Sequence, residues 1–241
     1  MTVLRTLACL MLFTVGAQAG SKEYAVTAAV SRSYYVQVSS QGKSVFGLMV
    51  FHGAVYEGNL RTAVTSYYEP LFRELTEEFP LAVVYPHGSR GRCPWDKALV
   101  CWPMSMPWED APFIAEIVER VGREQGVTRW LALGISNGGY FLASAIESGE
   151  TLPFEAVVSC IGGKGWNRAL NLRWTPPLTI LAGTRDGETL PSARELHAEL
   201  QAAGYAKKAP LRFVEFDGGH EIPEGILKTE LRRLLNKLRS R

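Results

Sequence analysis

Six short apolar runs constrain the fold of this chain more than any other feature. They are SVFGLMVF (44–51), LAVVYP (81–86), RWLALGI (129–135), EAVVSCI (155–161), PLTILAG (177–183) and PLRFVEF (210–216), rich in Val, Ile, Leu and Phe with little alternation. Runs of this length read as strands buried on both faces, as at the centre of a parallel sheet. Interleaved with them are amphipathic stretches at 60–79, 109–125, 138–148, 190–203 and 226–239. This succession predicts an α/β architecture, a mostly parallel central sheet with helices on both faces. Ahead of it, YAVTAAV and YYVQVSS alternate enough to predict an opening antiparallel pair.

With 241 residues and 46% hydrophobic composition, the chain can bury one full core, and no linker or internal repeat divides it. The first residues read differently. Arg5 precedes an apolar stretch at 7–15, and Ala17-Gln18-Ala19 supplies the small-x-small pattern accepted by signal peptidase. The stretch is far short of the roughly 20 residues a spanning helix needs. We therefore expect a cleaved signal peptide at 1–19, a single domain at 20–241, and a secreted or periplasmic product without stable membrane insertion. The formal net charge is +2, and losing Arg5 lowers it by one, a balance that argues against a nucleic-acid partner.

Three cysteines follow the signal segment. Cys93 and Cys101 lie close together in the aperiodic segment 87–108 and are the expected disulfide pair in an exported chain. Cys160 sits inside an apolar run and reads as a buried thiol. No cluster of His and Cys has zinc-ligand spacing, so neither metal nor cofactor is expected. The same segment carries Trp95, Trp102 and Trp108 and is expected to shape a substrate cleft, with Trp102 and Trp108 as substrate-binding residues, since long loops in compact domains are often functional.

The chemistry concentrates at Gly134-Ile135-Ser136-Asn137-Gly138, where an apolar strand turns abruptly into a helical stretch. G-x-S-x-G between strand and helix is a nucleophile elbow: small residues let the backbone crowd past, and the serine hydroxyl stands above the sheet. A serine needs a base, and the base an orienting acid, in the chain order Ser, Asp or Glu, His. Of four histidines, His52 and His87 precede the serine and His197 lies on a helix face, which leaves His220 in FDGGHEIP. Asp186 in TRDGETLP follows the preceding strand and is the expected acid, with Glu188 and Asp217 as competitors. The oxyanion donors are expected to be the backbone N–H groups of Asn137 and Ala54, with His52 stabilising the Ala54 loop. GGKGWN at 162–167 lacks phosphate-loop spacing and reads as a loop near the cleft. The C-terminal stretch 226–239 reads as a helix packing its leucines on the core beneath a basic solvated face.

Four motifs, FHG (51–53), GISNGG (134–139), GTRDGETLP (183–191) and DGGHEIPEG (217–225), resemble those of the small α/β-hydrolase serine esterases. Both the carboxylesterase/phospholipase-like branch and the polyhydroxybutyrate depolymerase/feruloyl esterase-like branch are similar. The resemblance implies an α/β-hydrolase fold and metal-independent hydrolysis of small-molecule or polymer-derived esters through an acyl-enzyme, with Ser136, Asp186 and His220 as the triad. A peptidase or amidase using the same triad, and a non-catalytic binding protein on the same scaffold, are the alternatives.

Overall fold

The computed structural model describes residues 22–26, 32–40, 42–56, 58–105, 109–166 and 169–240. The expected signal segment 1–19 and Trp108 lie outside them. In chain order the strands are β1 (Lys22–Val26), β2 (Arg32–Val38), β3 (Phe46–Phe51), β4 (Val55–Tyr56), β5 (Leu81–Pro86), β6 (Ser89–Arg90), β7 (Leu99–Cys101), β8 (Arg129–Ile135), β9 (Ala156–Cys160), β10 (Leu178–Gly183) and β11 (Leu211–Phe216). The helices are α1 (Asn59–Ala63), α2 (Glu69–Glu78), α3 (Ala111–Gln125), α4 (Asn137–Ser148), α5 (Leu190–Ala202) and α6 (Glu224–Arg239).

Eight strands form one sheet in the order β1-β2-β5-β3-β8-β9-β10-β11. Strand β2 runs antiparallel to β1 and β5, and the remaining neighbours are all parallel. The opening antiparallel pair and the six apolar runs thus account for the whole sheet. Strands β3, β5, β8, β9 and β10 are buried along nearly their full length, whereas β11 is only partly covered. It is an edge strand, and Arg212 and Glu215 on it place charge where an open edge would otherwise invite pairing.

Successive residues of a strand face opposite sides, and two cores result. Met49 and Phe51 join Phe113, Ile117, Phe141 and Leu196 beneath α3, α4 and α5. Leu48 and Val50 join Leu71, Phe72, Leu231 and Leu235 beneath α2 and α6. The leucines of α6 are therefore committed to the core. Its basic face is paired instead: Arg232 with Glu74 and Glu78, and Lys228 with Glu74.

The stretch 60–79 departs from a single helix. Between α1 and α2 the backbone makes a π-helical turn at Val64–Tyr68. Pro70, at the start of α2, has no N–H to bond back and its ring would press on the carbonyl four residues earlier. Widening the preceding turn makes room for the ring.

Candidate active site

At the end of β8 the chain reverses into α4 through Ser136, whose φ of 50° and ψ of −113° place a residue with a Cβ in a left-handed conformation. Such a backbone costs on the order of 1–3 kcal/mol and persists only where the surroundings over-determine it. Here the Ser136 N–H donates to the Cys160 carbonyl at 2.9 Å, while the Ser136 carbonyl accepts from Gly139 and Tyr140 at 2.8 and 3.1 Å. The glycines on either side are sterically required. A Cβ at Gly134 would stand 2.2 Å from the Gly138 carbonyl oxygen, and one at Gly138 would stand 2.1 Å from that of Phe51.

Two further side chains meet this serine from loops at the same end of the sheet. His220, after β11, has Nε2 2.9 Å from Ser136 Oγ and Nδ1 2.7 Å from Asp186 Oδ2. An ionised carboxylate only accepts, so Nδ1 carries the proton and Nε2 presents its lone pair to the serine hydroxyl. Asp186, after β10, is buried and receives hydrogen bonds from the Thr189 hydroxyl, the Thr189 amide at 3.0 Å and the Glu188 amide at 3.2 Å. Burial alone pushes its carboxyl up, but the Thr189 hydroxyl and amide, together with His220, outweigh it and hold the group below the usual carboxylate range. The competing acids stand elsewhere: Asp217 is exposed and paired with Arg185, and Glu188 is exposed and lines the cleft.

The two expected oxyanion donors belong to segments that adjoin Ser136, the start of α4 and the loop after β3, whose Gly53 packs against the serine. Asn137 opens α4, where first-turn N–H groups lack intrahelical acceptors. Its amide side chain is engaged elsewhere, accepting from the Trp102 N–H at 2.7 Å and donating to the Trp102 carbonyl at 3.1 Å. Across from it, Gly53 approaches so closely that a Cβ there would lie 3.3 Å from Ser136 Cβ. His52 Nδ1 hydrogen-bonds the Gly53 carbonyl, and His52 Nε2 accepts from the Gly88 N–H at 3.0 Å. Because C=O and N–H point in opposite directions across a trans peptide, the His52 bond sets the direction in which the Ala54 N–H points. Burial lowers the His52 imidazole to about 4, with His87 adding to the effect and the Gly53 carbonyl opposing it. The ring is therefore neutral, as one donating and one accepting nitrogen require.

The expectation that Trp102 lines the cleft needs correction. Trp102 is fully buried, its ring 4.9 Å from Phe51, 5.4 Å from Phe141 and 5.5 Å from His52. Asn137 binds the backbone of Trp102 from both sides, and its indole fills the core below the site instead of facing substrate. Beside Ser136 and His220 lies a cleft of about 630 Å³ lined by Trp95, Met104, Tyr140, Lys164, Trp166 and Glu195, among others. Trp95 belongs to the segment expected to shape the cleft and Trp166 to GGKGWN, expected near it, although neither is among the expected substrate-binding residues. Cys93 and Cys101 are disulfide-bonded, with Cα atoms 5.3 Å apart. Cys160 is a buried free cysteine whose thiol burial pushes up to about 12.

No known protein-family profile and no curated protein matches this chain by sequence. Solved structures do match in shape. A carboxylesterase from Mesorhizobium loti superposes with a TM-score of 0.62 at 17% identity, covering 87% of this chain and 98% of that one. XC6422 from Xanthomonas campestris, described as an α/β serine hydrolase without lid, gives 0.60 at 15% identity over 89% and 94% of the two chains. The poly(3-hydroxybutyrate) depolymerase LpqC from Bordetella parapertussis gives 0.59 at 18% over 84% and 85%. Together with the strand order and the helices on both faces of the sheet, these likenesses establish that the chain has the α/β-hydrolase fold.

Proposed function

We propose that this protein is an exported serine hydrolase that cleaves carboxylic esters through an acyl-enzyme. The observation that carries the reading is the unbroken relay from Asp186 Oδ2 through the His220 ring to Ser136 Oγ, with contacts of 2.7 and 2.9 Å. His220 takes the serine proton as Oγ attacks the ester carbonyl, and Asp186 stabilises the imidazolium that forms. The N–H groups of Asn137 and Ala54 receive the developing oxyanion. His220 then returns the proton to the leaving alcohol, and a water activated by the same ring releases the acid. Export is supported by the small-x-small site before Gly20 and by the Cys93–Cys101 disulfide.

Hydrolysis of a short-chain p-nitrophenyl ester tests the reading. The mature protein turns the ester over, and Ser136→Ala reduces the rate to background while its thermal unfolding stays cooperative. A Ser136→Ala variant that retains near wild-type turnover refutes it.

A further inference from the structure

The segment Ile161 to Trp166 has no part in the relay, yet its backbone is tied down by several hydrogen bonds. It begins with Ile161 in a left-handed conformation, φ 47°, unusual for a β-branched residue. The Lys164 N–H donates to Ser192 Oγ at 3.0 Å, the Gly165 N–H to the buried Glu147 Oε1 at 3.0 Å, and the Trp166 N–H to the Met104 carbonyl at 2.9 Å. Backbone fixed at three successive residues makes a wall, and the wall ends on an indole left 55% exposed. Trp95, on the disulfide-closed loop, lines the same cleft at 57% exposure. Two large apolar rings held in water beside a nucleophile mark a contact surface. Charge narrows the occupant further. Lys164 is the one lysine or arginine among the described lining residues, and Glu195 and Glu199 hold its ammonium.

We propose that Trp166 and Trp95 form a stacking subsite for a flat aromatic group of the substrate that carries no carboxylate, and that the segment at 161–166 exists to hold it. This rests on the ester-hydrolase reading and specifies its substrate class. The indole faces offer offset stacking to a planar ring, which a puckered saturated ring of equal size cannot match. With its ammonium bound by two carboxylates, Lys164 offers no site for a substrate carboxylate.

Two matched pairs test the proposal: methyl 3-phenylpropanoate against methyl 3-cyclohexylpropanoate, and benzyl acetate against cyclohexylmethyl acetate. In at least one pair the aromatic ester is preferred in kcat/KM by about five- to tenfold. Trp166→Leu abolishes that preference, chiefly through KM, and Trp166→Phe restores it in part. Equal turnover within both pairs, or a preference unchanged in Trp166→Leu, overturns the subsite. Equilibrium binding of 3-phenylpropanamide to Ser136→Ala, read by isothermal titration calorimetry, tests the subsite without turnover. Binding lost in the Ser136→Ala/Trp166→Leu double variant supports it even if no ester is hydrolysed, and equal binding by both variants contradicts it.

Discussion

The ring of His52 and the backbone N–H of Gly88 meet at 3.0 Å, tying the loop that carries Ala54 to the loop that leaves β5. Because the His52 ring accepts at Nε2 and engages the Gly53 carbonyl at Nδ1, protonation would set two N–H groups against each other.

Acid stability therefore depends on this ring. Its folded value of about 4 lies below the ordinary value of 6.5, so the unfolded chain binds the extra proton between these limits. The stability contributed is fully present above pH 6.5 and is lost as pH falls toward 4, amounting to about 3 kcal/mol. Urea unfolding at several pH values should show a smaller decline in His52→Phe than in the wild type across this window. Parallel declines would contradict the neutral ring.

Asp186 makes a separate prediction. Its substitution by Asn leaves the packing nearly unchanged but offers His220 an amide that can bind the wrong tautomer. Ester kcat should fall by about 10³- to 10⁴-fold while KM changes little. Since the native carboxyl lies below its ordinary value, its contribution to stability is present above about pH 3.9 and disappears as pH drops through the folded value. Acid unfolding of Asp186→Asn should lack this component.

Gly138→Ala tests the elbow sterically. The new methyl would overlap the Phe51 carbonyl, and neither β3 nor α4 can yield without moving Ser136. A loss of about 3 kcal/mol is expected, with loss of activity. Gly225→Ala in α6, where nothing lies within 4 Å of the added carbon, should be neutral or stabilising by up to about 1 kcal/mol. Comparable losses in both would remove the steric argument.

Asn137 links the elbow to Trp102 through two buried hydrogen bonds. Its replacement by Ala leaves a backbone donor and acceptor without partners, at about 1–3 kcal/mol each. Denaturant titration of Asn137→Ala should show a stability loss in that range; a loss below about 0.5 kcal/mol would mean that water replaces the amide.

How much of this was legible in the sequence follows from where the information sits. Strands β5 and β8 coincide with LAVVYP and RWLALGI, because buried parallel strands carry their signal in local composition. The expected positions of Ser136, Asp186 and His220 at strand ends follow from the same runs, and chain order selected among the histidines. The three-stranded sheet of β4, β7 and β6 was not legible, since its strands of two or three residues show no periodicity. The π-helical turn preserves the apolar spacing of 60–79 and so reads as an unbroken helix. The direction of Trp102 depends on Asn137, 35 positions away, and no local pattern encodes a contact of that kind.

The central claim is that Ser136 is made nucleophilic by His220, and covalent trapping measures this most directly. Treating the mature protein with a fluorophosphonate and mapping the adduct by mass spectrometry should give one modified residue, Ser136, with labelling abolished in Ser136→Ala and slowed at least a hundredfold in His220→Gln. An unlabelled protein, an adduct on another residue, or equal labelling rates with and without His220 would contradict the account.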